Sequence, residues 1–418
     1  MKKRFLCALM AVAMIQTGLT ACGSGAAPST AETTAAAGDS TTAAADSSAA
    51  ADTTAAADTT AAAAGAGGEI KIGVVAPISG SSAMVGDTEI KGVRLAAKQI
   101  NEAGGINGKT IKLVEEDDQQ DPKTAVSAIN KLVSNDKVTA AIGTVNSSCT
   151  LAMMDVTENN EVPLVTPISS GISITDPSYH YIARLQASDI MQAKAITEYA
   201  LGDLGYTKIA VMYQNDDYGA GGKDVVEQVM KDAGVDPIAV EAFDPAATDM
   251  SAQLLKIKEL QPEAIIMWTM YSPAATIALQ VKQLGMDVDL MGGGGLTNAK
   301  LYELAGDAAV GILNTQTFFP DKEKASETAA AFIDAYEKEY SIAPDSNAAM
   351  SYDSMMVLAE GLKAAGDGLN PDDIMAGIKA VKDMPLATGT ITMDENGDAN
   401  RDILIIRLAE GGKYELVK

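Results

Sequence analysis

The sequence predicts an α/β protein with two doubly wound parallel-sheet lobes joined by a hinge, preceded by a signal peptide and a disordered linker. Strand and helix patterns alternate from residue 69 onward, and the alternation restarts near residue 189. A low-complexity stretch separates this region from the N-terminus. Alternating strands and helices build parallel sheets with helices on both faces, so two successive runs predict two lobes.

The first residues have the pattern of a targeting segment. A positively charged start at residues 2–4 precedes an apolar stretch over residues 5–15, and residues 19–22 read Leu-Thr-Ala-Cys. This pattern predicts a lipoprotein signal peptide over residues 1–21, with Cys22 carrying the lipid. The alternative is a plain signal peptide followed by an incidental cysteine. The apolar stretch is too short to remain as a membrane-spanning helix.

Residues 22–68 are predicted to form the lipidated cysteine and a disordered tether. After Cys22 the stretch consists mainly of Ala, Thr, Asp, Ser and Gly, without an aromatic residue, Lys or Arg. Such a segment cannot bury enough apolar surface to offset its chain entropy.

The folded region divides into three groups of predicted elements. In the first, the strands are residues 70–75, 111–115, 138–142 and 163–165, and the helices are residues 87–102, 122–133 and 147–159. In the second, the helices are residues 189–204, 219–233, 250–260 and 274–284, and the strands are residues 208–213, 237–243, 264–268 and 288–291. The third has helices at residues 323–340, 346–365 and 371–381 and strands at residues 388–392 and 404–407.

The third group breaks the alternation, which suits a chain that crosses between the lobes more than once. Lobe 1 is therefore assigned residues 69–187 and 317–389. Lobe 2 is assigned residues 188–316 and 390–418.

Composition limits the function classes. The formal net charge is −25, which argues against a nucleic-acid partner and against adsorption to an anionic membrane surface. An acidic surface keeps a secreted protein soluble, and we expect a monomer. Hydrophobic residues make up 47% of the chain, enough for a sizeable core.

The reactive residue types are scarce. His180 is the only histidine, and once Cys7 is removed and Cys22 lipidated, Cys149 is left unpaired. With one histidine and no Gly-x-Ser-x-Gly motif, no zinc site, Ser-His-Asp triad or Cys-His pair can be assembled, and a cysteine nucleophile needs an activating base. The acidic segment 394–398 lacks the spacing of a calcium loop and is predicted to be a hairpin turn. We therefore expect no enzyme activity, no cofactor and no bound metal.

Small or hydroxyl-rich loops follow several predicted strands. They are residues 143–148, 166–171, 214–219, 269–273 and 292–295. In α/β sheets, ligands bind outside the carboxyl ends of strands, where free N–H groups at helix N-termini favour an anion such as a carboxylate. Each serine alone is more often a helix cap, but the five loops together predict a cleft between two lobes. The glycines at residues 292–295 lack the surroundings of a phosphate-binding loop.

Several segments resemble the type I periplasmic binding proteins that serve branched-chain amino acid ABC transporters. They include residues 72–80 (Ile-Gly-Val-Val-Ala-Pro-Ile-Ser-Gly), 100–108 (Ile-Asn-Glu-Ala-Gly-Gly-Ile-Asn-Gly), 215–219 (Asn-Asp-Asp-Tyr-Gly) and 393–398 (Met-Asp-Glu-Asn-Gly-Asp). The matches run in order along nearly the whole folded region. The resemblance implies the two-lobed fold of that family and the capture of a small amino-acid-like ligand.

The resemblance also implies a set of ligand-binding residues. Ser147, with Asn146 beside it, falls where the family holds the ligand carboxylate. Ile168 and Ser170 fall where a carbonyl and a hydroxyl meet the ammonium, and Ser169 lies between them. Tyr218 and Tyr271 fall at tyrosine positions of lobe 2. The predicted ligand-binding residues are Val85, Asn146, Ser147, Ile168, Ser169, Ser170, Tyr218, Tyr271 and Gly294.

Two positions depart from the family pattern. Val85 stands at a position that is often aromatic, which predicts a thinner wall. Gly294 stands where branched-chain members place an acid that pairs with the ligand ammonium. A buried unpaired ammonium is costly. Either another acid, such as Asp216 or Asp217, therefore replaces the missing one, or the ligand is an amide, a urea-like compound or a small carboxylate.

The predicted function is that of an extracytoplasmic solute-binding lipoprotein of an ABC importer. A branched-chain amino acid is the leading ligand, captured by hinge closure and delivered to ABC permease subunits. The chain is expected at the cell membrane, held on the extracytoplasmic face only through the Cys22 lipid. The same fold could instead present a ligand to a sensor protein as a receptor.

Overall fold

The structure, a computed structural model, describes residues 67–418. The predicted signal peptide, the predicted lipid site at Cys22 and the tether up to residue 66 lie outside the described residues. Within residues 67–418, none of the helices combines the length and the apolar content that a membrane span requires.

Strands and helices alternate through the first part of the described chain. In order they are β1 (Glu69–Ala76), α1 (Ala83–Glu102), β2 (Thr110–Asp117), α2 (Pro122–Lys131), β3 (Ala140–Gly143), α3 (Ser147–Asn159), β4 (Leu164–Thr166) and β5 (Ile182–Arg184). All five strands are parallel, in the order β2-β1-β3-β4-β5. Helix α2 begins where its sequence predicts, because the Asp121 side chain accepts from the Thr124 N–H and Pro122 takes the first helical position.

The second part of the chain repeats the alternation. Its elements are α4 (Asp189–Glu198), β6 (Ile209–Gln214), α5 (Asp217–Asp232), β7 (Ala239–Phe243), α6 (Ser251–Glu259), β8 (Ala264–Trp268), α7 (Tyr271–Gln283), β9 (Asp289–Gly292), α8 (Ala299–Ala305) and β10 (Leu313–Gln316). Helices α2 and α4 are each extended by five π-helical residues. These are Leu132–Asp136 after α2 and Tyr199–Asp203 after α4.

The last part contains three helices and then five short strands. They are α9 (Glu327–Tyr340), α10 (Ser346–Ala364), α11 (Pro371–Lys379), β11 (Met384–Leu386), β12 (Gly389–Met393), β13 (Ala399–Asn400), β14 (Leu404–Leu408) and β15 (Tyr414–Leu416). The second large sheet has the order β15-β14-β10-β9-β8-β6-β7. In this sheet β14 pairs antiparallel with both β15 and β10, and the remaining neighbours pair parallel. A separate antiparallel ribbon has the order β11-β12-β13.

Each large sheet is the centre of one lobe, with apolar clusters on both faces. Along β1, Ile70, Ile72 and Val74 pack in a cluster with α1 and α10, whereas Val75 packs in a cluster with α2 and α3. Because successive side chains of a strand point to opposite faces, this is the pattern of a sheet covered by helices on both sides. The predicted fold class, two doubly wound lobes, is confirmed.

Three segments connect the lobes: one between β5 and α4, one between β10 and α9, and one between β13 and β14. The last crossing differs from the sequence prediction, which returned the chain to lobe 2 at residue 390. Ile391, Met393 and Ala399 pack in the apolar cluster of lobe 1. The chain therefore returns to lobe 2 with β14, because β12 and β13 are held in the ribbon with β11.

Candidate functional site

A narrow cavity lies between the carboxyl ends of the two sheets, bordered by the loops after β3, β4, β6 and β9. Its volume, taken as the space open to the centre of a water-sized sphere, is about 30 Å³. The cavity is small because the lobes are in contact: Val85 and Val145 of lobe 1 share an apolar cluster with Tyr271 of lobe 2. The predicted site residues that line the cavity are Val85, Asn146, Ser147, Ile168, Ser170, Tyr218 and Gly294.

The lobe 1 wall is the N-terminus of α3. The Asn146 side chain caps this helix by accepting from the Ser148 N–H at 2.9 Å. Ser147 follows as the first helical residue, and its Oγ accepts from the Gly171 N–H at 3.1 Å. The first N–H groups of a helix have no acceptor within the helix, and the helix dipole adds positive potential there. This wall is therefore suited to a carboxylate.

The loop after β4 places two of its three predicted residues at the cavity. Ile168 and Ser170 line it, whereas Ser169 does not. The Ser169 hydroxyl lies 2.7 Å from the Thr150 hydroxyl and donates to the Thr144 carbonyl at 2.8 Å. These bonds turn Ser169 into the lobe interior, where it fastens the loop to α3, so its predicted place at the ligand is corrected.

Lobe 2 contributes an aromatic wall. Tyr218, in the first turn of α5, is 6% exposed and lies 6.2 Å from Trp268, measured between ring centroids. The Tyr218 hydroxyl has no hydrogen-bond partner among the described residues. Gly295 is required beside it, because a Cβ there would lie 2.6 Å from that hydroxyl oxygen. The glycine run after β9 thus allows close packing against the aromatic side chains of lobe 2.

Gly294 lines the cavity, and any side chain at this position would require the Gln192 side chain to shift. Its N–H donates to Gln192 Oε1 at 2.8 Å, and a Cβ at Gly294 would lie 3.0 Å from that same oxygen. Asp216 and Asp217, the two residues predicted as possible replacements for this acid, do not line the cavity. Asp217 is exposed, and Asp216 caps α5 by accepting from the Gly219 N–H at 2.9 Å.

A different carboxylate, Asp189 in the first turn of α4, does not line the cavity but lies directly behind Ser170, which does. Its N–H donates to the Ser170 carbonyl at 2.8 Å, and neither carboxylate oxygen has a hydrogen-bond partner among the described residues. Burial raises the pKa of Asp189 to about 7. The Ser170 hydroxyl, the charge of Arg184 and the Trp268 indole N–H lower the pKa by smaller amounts, because they lie near the carboxyl group without meeting the geometry of a hydrogen bond. Burial, and after it the charge of Asp189, raises the pKa of Tyr218 as well.

Sequence reasoning missed Asp189 because it missed the preceding strand. β5 has only three residues, so the segment after it was not recognised as a loop at a strand end. An acid in the first turn of a helix also favours that helix through its dipole, which is a sufficient structural reason for it. Further cavity residues that the sequence did not identify are Val145, Gln186, Gln192, Met270, Gly295, Thr297 and Asn347.

Tyr271 has a different position from the predicted one. It does not line the cavity. Its hydroxyl donates to the Ser81 carbonyl of lobe 1 at 2.7 Å, and its ring packs in the cluster shared by the two lobes. Tyr271 therefore connects the lobes beside the cavity.

The remaining reactive groups lie elsewhere. Within residues 67–418, no group of three or more His, Cys, Asp or Glu side chains is arranged to hold a metal ion. Burial raises the pKa of the Cys149 thiol, which is opposite to the shift that activates a cysteine nucleophile. His180 is an exposed residue whose ring nitrogen lies 2.7 Å from Glu158. The cavity itself offers hydrogen-bond donors, apolar walls and a nearby acid.

Comparison with known proteins agrees with this geometry. The family model described as "Periplasmic binding protein" matches residues 69–413. The chain is 30% identical over 329 residues to the leucine-, isoleucine-, valine-, threonine-, and alanine-binding protein of Pseudomonas aeruginosa, covering 79% of this chain and 87% of that protein.

Two solved structures are similar over nearly their whole lengths. One is the branched-chain amino acid transporter substrate binding protein LivJ of Streptococcus pneumoniae in complex with isoleucine, with 30% identity, a TM-score of 0.76 and coverage of 84% of this chain and 99% of that one. The other is the leucine binding protein LivK of Thermotoga maritima, with 28% identity, a TM-score of 0.78 and coverage of 84% and 98%. The resemblance seen in the sequence motifs is confirmed: the chain belongs to the periplasmic binding protein family.

Proposed function

We propose that this protein is the solute-binding component of an ABC importer and that it captures a branched-chain amino acid between its two lobes. The observation that carries the proposal is a pair of features, one in the wall of the cavity and one directly behind that wall. The N-terminus of α3 at Ser147 supplies positive potential, and the buried carboxyl group of Asp189 has both oxygens without hydrogen-bond partners among the described residues. An α-amino acid carries one charge to match each feature.

The ligand carboxylate is assigned to Ser147 and the N–H groups of α3. The ammonium is assigned to the Ser170 side of the cavity, where the Ile168 carbonyl, the Ser170 hydroxyl and the charge of Asp189 are close. Val85, Ile168 and Met270 leave an apolar surface for an aliphatic side chain. Tyr218 covers the ligand from lobe 2.

Closure is the mechanism by which the ligand is retained. The ligand shifts the lobes toward the closed state only by the additional contacts that it makes there. In this structure the lobes already touch at Val85, Val145 and Tyr271, so the ligand completes an interface that the protein itself begins. The closed complex then docks on the permease, and the ligand is released unchanged, without catalysis and without a cofactor.

A neutral ligand such as an amide or a urea-like compound is the second candidate, because Gly294 removes the expected acid. Such a ligand would leave Asp189 protonated and the positive end of α3 unmatched. A small carboxylate without an ammonium would satisfy α3 alone. The buried, unpaired Asp189 therefore favours the amino acid over these alternatives.

The cellular setting follows from the N-terminal sequence and the family. Cys22 carries the lipid that anchors the protein on the extracytoplasmic face of the cell membrane, and residues 23–68 act as a tether. The protein acts as a monomer, and its partners are the small ligand and the ABC permease subunits.

A thermal-shift comparison tests the proposed ligand. Leucine, isoleucine and valine are each compared with the corresponding carboxylic acid, which lacks the ammonium, and the corresponding amide, which lacks the carboxylate charge. A ligand present at about 100 times its Kd adds about 2.7 kcal/mol to the free energy of unfolding. We expect the amino acids to raise Tm and both analogues to do so far less. Equal shifts for an amino acid and its amide would contradict the proposal.

A further inference from the structure

Arg184, the last residue of β5, is a buried arginine whose hydrogen bonds converge on the cavity loop. Its side chain is 2% exposed. Nη1 donates to the carbonyls of Ser170 at 2.9 Å and Gly171 at 2.6 Å. Nε and Nη2 donate to the two carboxylate oxygens of Asp398 at 2.7 and 2.8 Å. Arg184 is thus a two-sided connector, with the loop after β4 on one side and Asp398 on the other.

The loop that Arg184 holds is the one that meets the candidate ligand site. Ser170 lines the cavity, and the Gly171 N–H donates to Ser147 Oγ at 3.1 Å. A continuous series of hydrogen bonds therefore runs from Asp398 through Arg184 and Gly171 to Ser147. Arg184, Asp398 and Gly171 do not line the cavity themselves.

Asp398 lies in the turn between β12 and β13, immediately before the third crossing between the lobes. Two more hydrogen bonds fix the turn to lobe 1: the Arg184 N–H of β5 donates to the Gly397 carbonyl at 2.7 Å, and Thr175 Oγ1, in the segment before β5, donates to Asp398 Oδ2 at 2.8 Å. Arg184 itself precedes the first crossing. The ion pair thus joins two of the three interlobe segments to one loop of the cavity.

We propose that Arg184, oriented by Asp398, is a positioning residue for ligand binding. It fixes the backbone of Ser170 and Gly171 at the cavity and ties that backbone to the interlobe connections. The inference rests on the proposed function for its ligand, although its effect on the loop is independent of any ligand. It also gives a role to the acidic turn at residues 394–398, which the sequence predicted only as a hairpin turn.

The chemistry of the arginine favours positioning over simple core filling. Replacing a buried ion pair by apolar side chains of similar volume is often neutral for stability, so a buried pair is weak evidence of a stabilising role. A planar guanidinium, however, can hold a carboxylate on one edge and two carbonyls on another in a fixed geometry. Those carbonyls belong to adjacent residues of the cavity loop.

Two graded variants weaken the connector without removing the arginine. Asp398→Asn keeps the size of the side chain and removes its charge. Thr175→Val removes a hydroxyl that donates to Asp398 at 2.8 Å and accepts from Arg184 Nη2 at 3.2 Å. The control is Asp353→Asn, which alters a fully buried aspartate of lobe 1, whereas the Asp398 side chain is 28% exposed. Asp353 accepts from the N–H groups of Ala387 and Thr388, both at 2.9 Å, and not from the cavity loop.

Two measurements are made on each variant: amide hydrogen exchange over residues 168–175 without ligand, and the Kd for leucine. We expect Asp398→Asn to lose protection in this loop and to bind leucine about tenfold more weakly, with a smaller effect for Thr175→Val. Asp353→Asn, although destabilised globally, should retain both loop protection and leucine affinity within about twofold.

The outcomes separate this proposal from the proposed function. Unchanged loop protection in Asp398→Asn, or lost protection with unchanged leucine affinity, overturns the positioning role. An equal loss of affinity in Asp353→Asn also overturns it, because the effect would then be one of general stability. If the wild-type protein binds no leucine while Asp398→Asn still loosens the loop selectively, the connector is supported and the proposed ligand is contradicted.

Discussion

At the scale of single residues, the site is defined by charges that the fold leaves unmatched. Ser147 lies at the positive end of α3, and Asp189 is a buried carboxyl group whose oxygens have no hydrogen-bond partner among the described residues. Leaving a buried polar group unpaired carries a cost that proteins accept mainly where function requires it. An amino acid would satisfy both groups on binding.

The raised pKa of Asp189, about 7, predicts a pH-dependent affinity. The ligand ammonium favours the ionised carboxylate, so binding at a pH below about 7 must release a proton. We expect the Kd for leucine to rise about tenfold from pH 8 to pH 6, because below the pKa each pH unit costs about 1.4 kcal/mol. Titration calorimetry across this range measures the change directly. In Asp189→Asn the Kd should be larger and nearly independent of pH. If the Kd of this variant depends on pH as that of the wild type does, the assignment of Asp189 is contradicted.

The same group predicts the pH dependence of stability without ligand. The pKa of Asp189 is higher in the folded protein than the ordinary value of 3.8, so between these values the folded state binds more protons than the unfolded state. The contribution of Asp189 to the free energy of unfolding therefore falls as the pH rises from about 4 to about 7. Thermal unfolding of Asp189→Asn should show a smaller decrease over that range than the wild type.

Ser147→Ala tests the carboxylate end of the site. A hydrogen bond to a charged group contributes about 1.5–3 kcal/mol, so we expect leucine to bind roughly 10- to 100-fold more weakly. Ser148→Ala is the matched control, because Ser148 is the next residue of the same helix turn and does not line the cavity. Equal effects of the two substitutions on the Kd would argue against a specific role for Ser147.

Most of the candidate site could be predicted at this scale because strand ends and helix starts leave clear signals in the sequence. A predicted strand ends within five residues before each of the site residues Asn146, Ser147, Ser170 and Tyr218. The direction of a side chain has no such signal. Ser169 turns inward because three oxygen atoms of its own lobe hold its hydroxyl, which only the folded structure shows.

At the scale of elements, the contact between the start of α7 and the loop before α1 is the feature that joins the lobes. The Tyr271 hydroxyl donates to the Ser81 carbonyl at 2.7 Å, and these residues belong to different lobes. A bond of this kind exists only while the lobes are closed. It therefore favours the closed state whichever ligand is bound.

Tyr271→Phe should weaken the binding of leucine, isoleucine and valine by the same factor. The substitution keeps the buried ring and removes one hydrogen bond of about 0.5–1.5 kcal/mol, which corresponds to a change in Kd of roughly two- to tenfold. Tyr302→Phe serves as the control, since that hydroxyl contacts only Asp307 of its own lobe at 3.4 Å. A loss that differs among the three ligands would instead place Tyr271 in direct contact with the ligand.

The sequence predicted long elements well and short ones poorly. Helices such as α1 and α10 extend over about five turns, whereas β5 and β15 have three residues each and β13 has two. Such strands are formed by pairing with neighbours that are distant in sequence. β12 was recognised as a strand, but its place in lobe 1 depends on pairing with β11 and β13.

At the scale of the whole molecule, the two lobes and their crossings make closure the central event. Small-angle X-ray scattering should show a smaller radius of gyration with saturating leucine than without ligand. In the structure, Val85 and Val145 of lobe 1 already pack against lobe 2. The radius of gyration of the leucine complex should therefore match that of the structure. Identical scattering curves with and without leucine would show that binding does not require closure.

The most direct measurement of the central claim is calorimetric titration of leucine into the wild-type protein and into the double variant Ser147→Ala/Asp189→Asn. Both substitutions preserve the shape of the site while removing the groups assigned to the two charged ends of the ligand. The account predicts one leucine bound per wild-type chain and no detectable binding by a double variant that remains folded. The account is contradicted if leucine, isoleucine and valine all fail to bind the wild type, or if the double variant binds leucine as tightly as the wild type does.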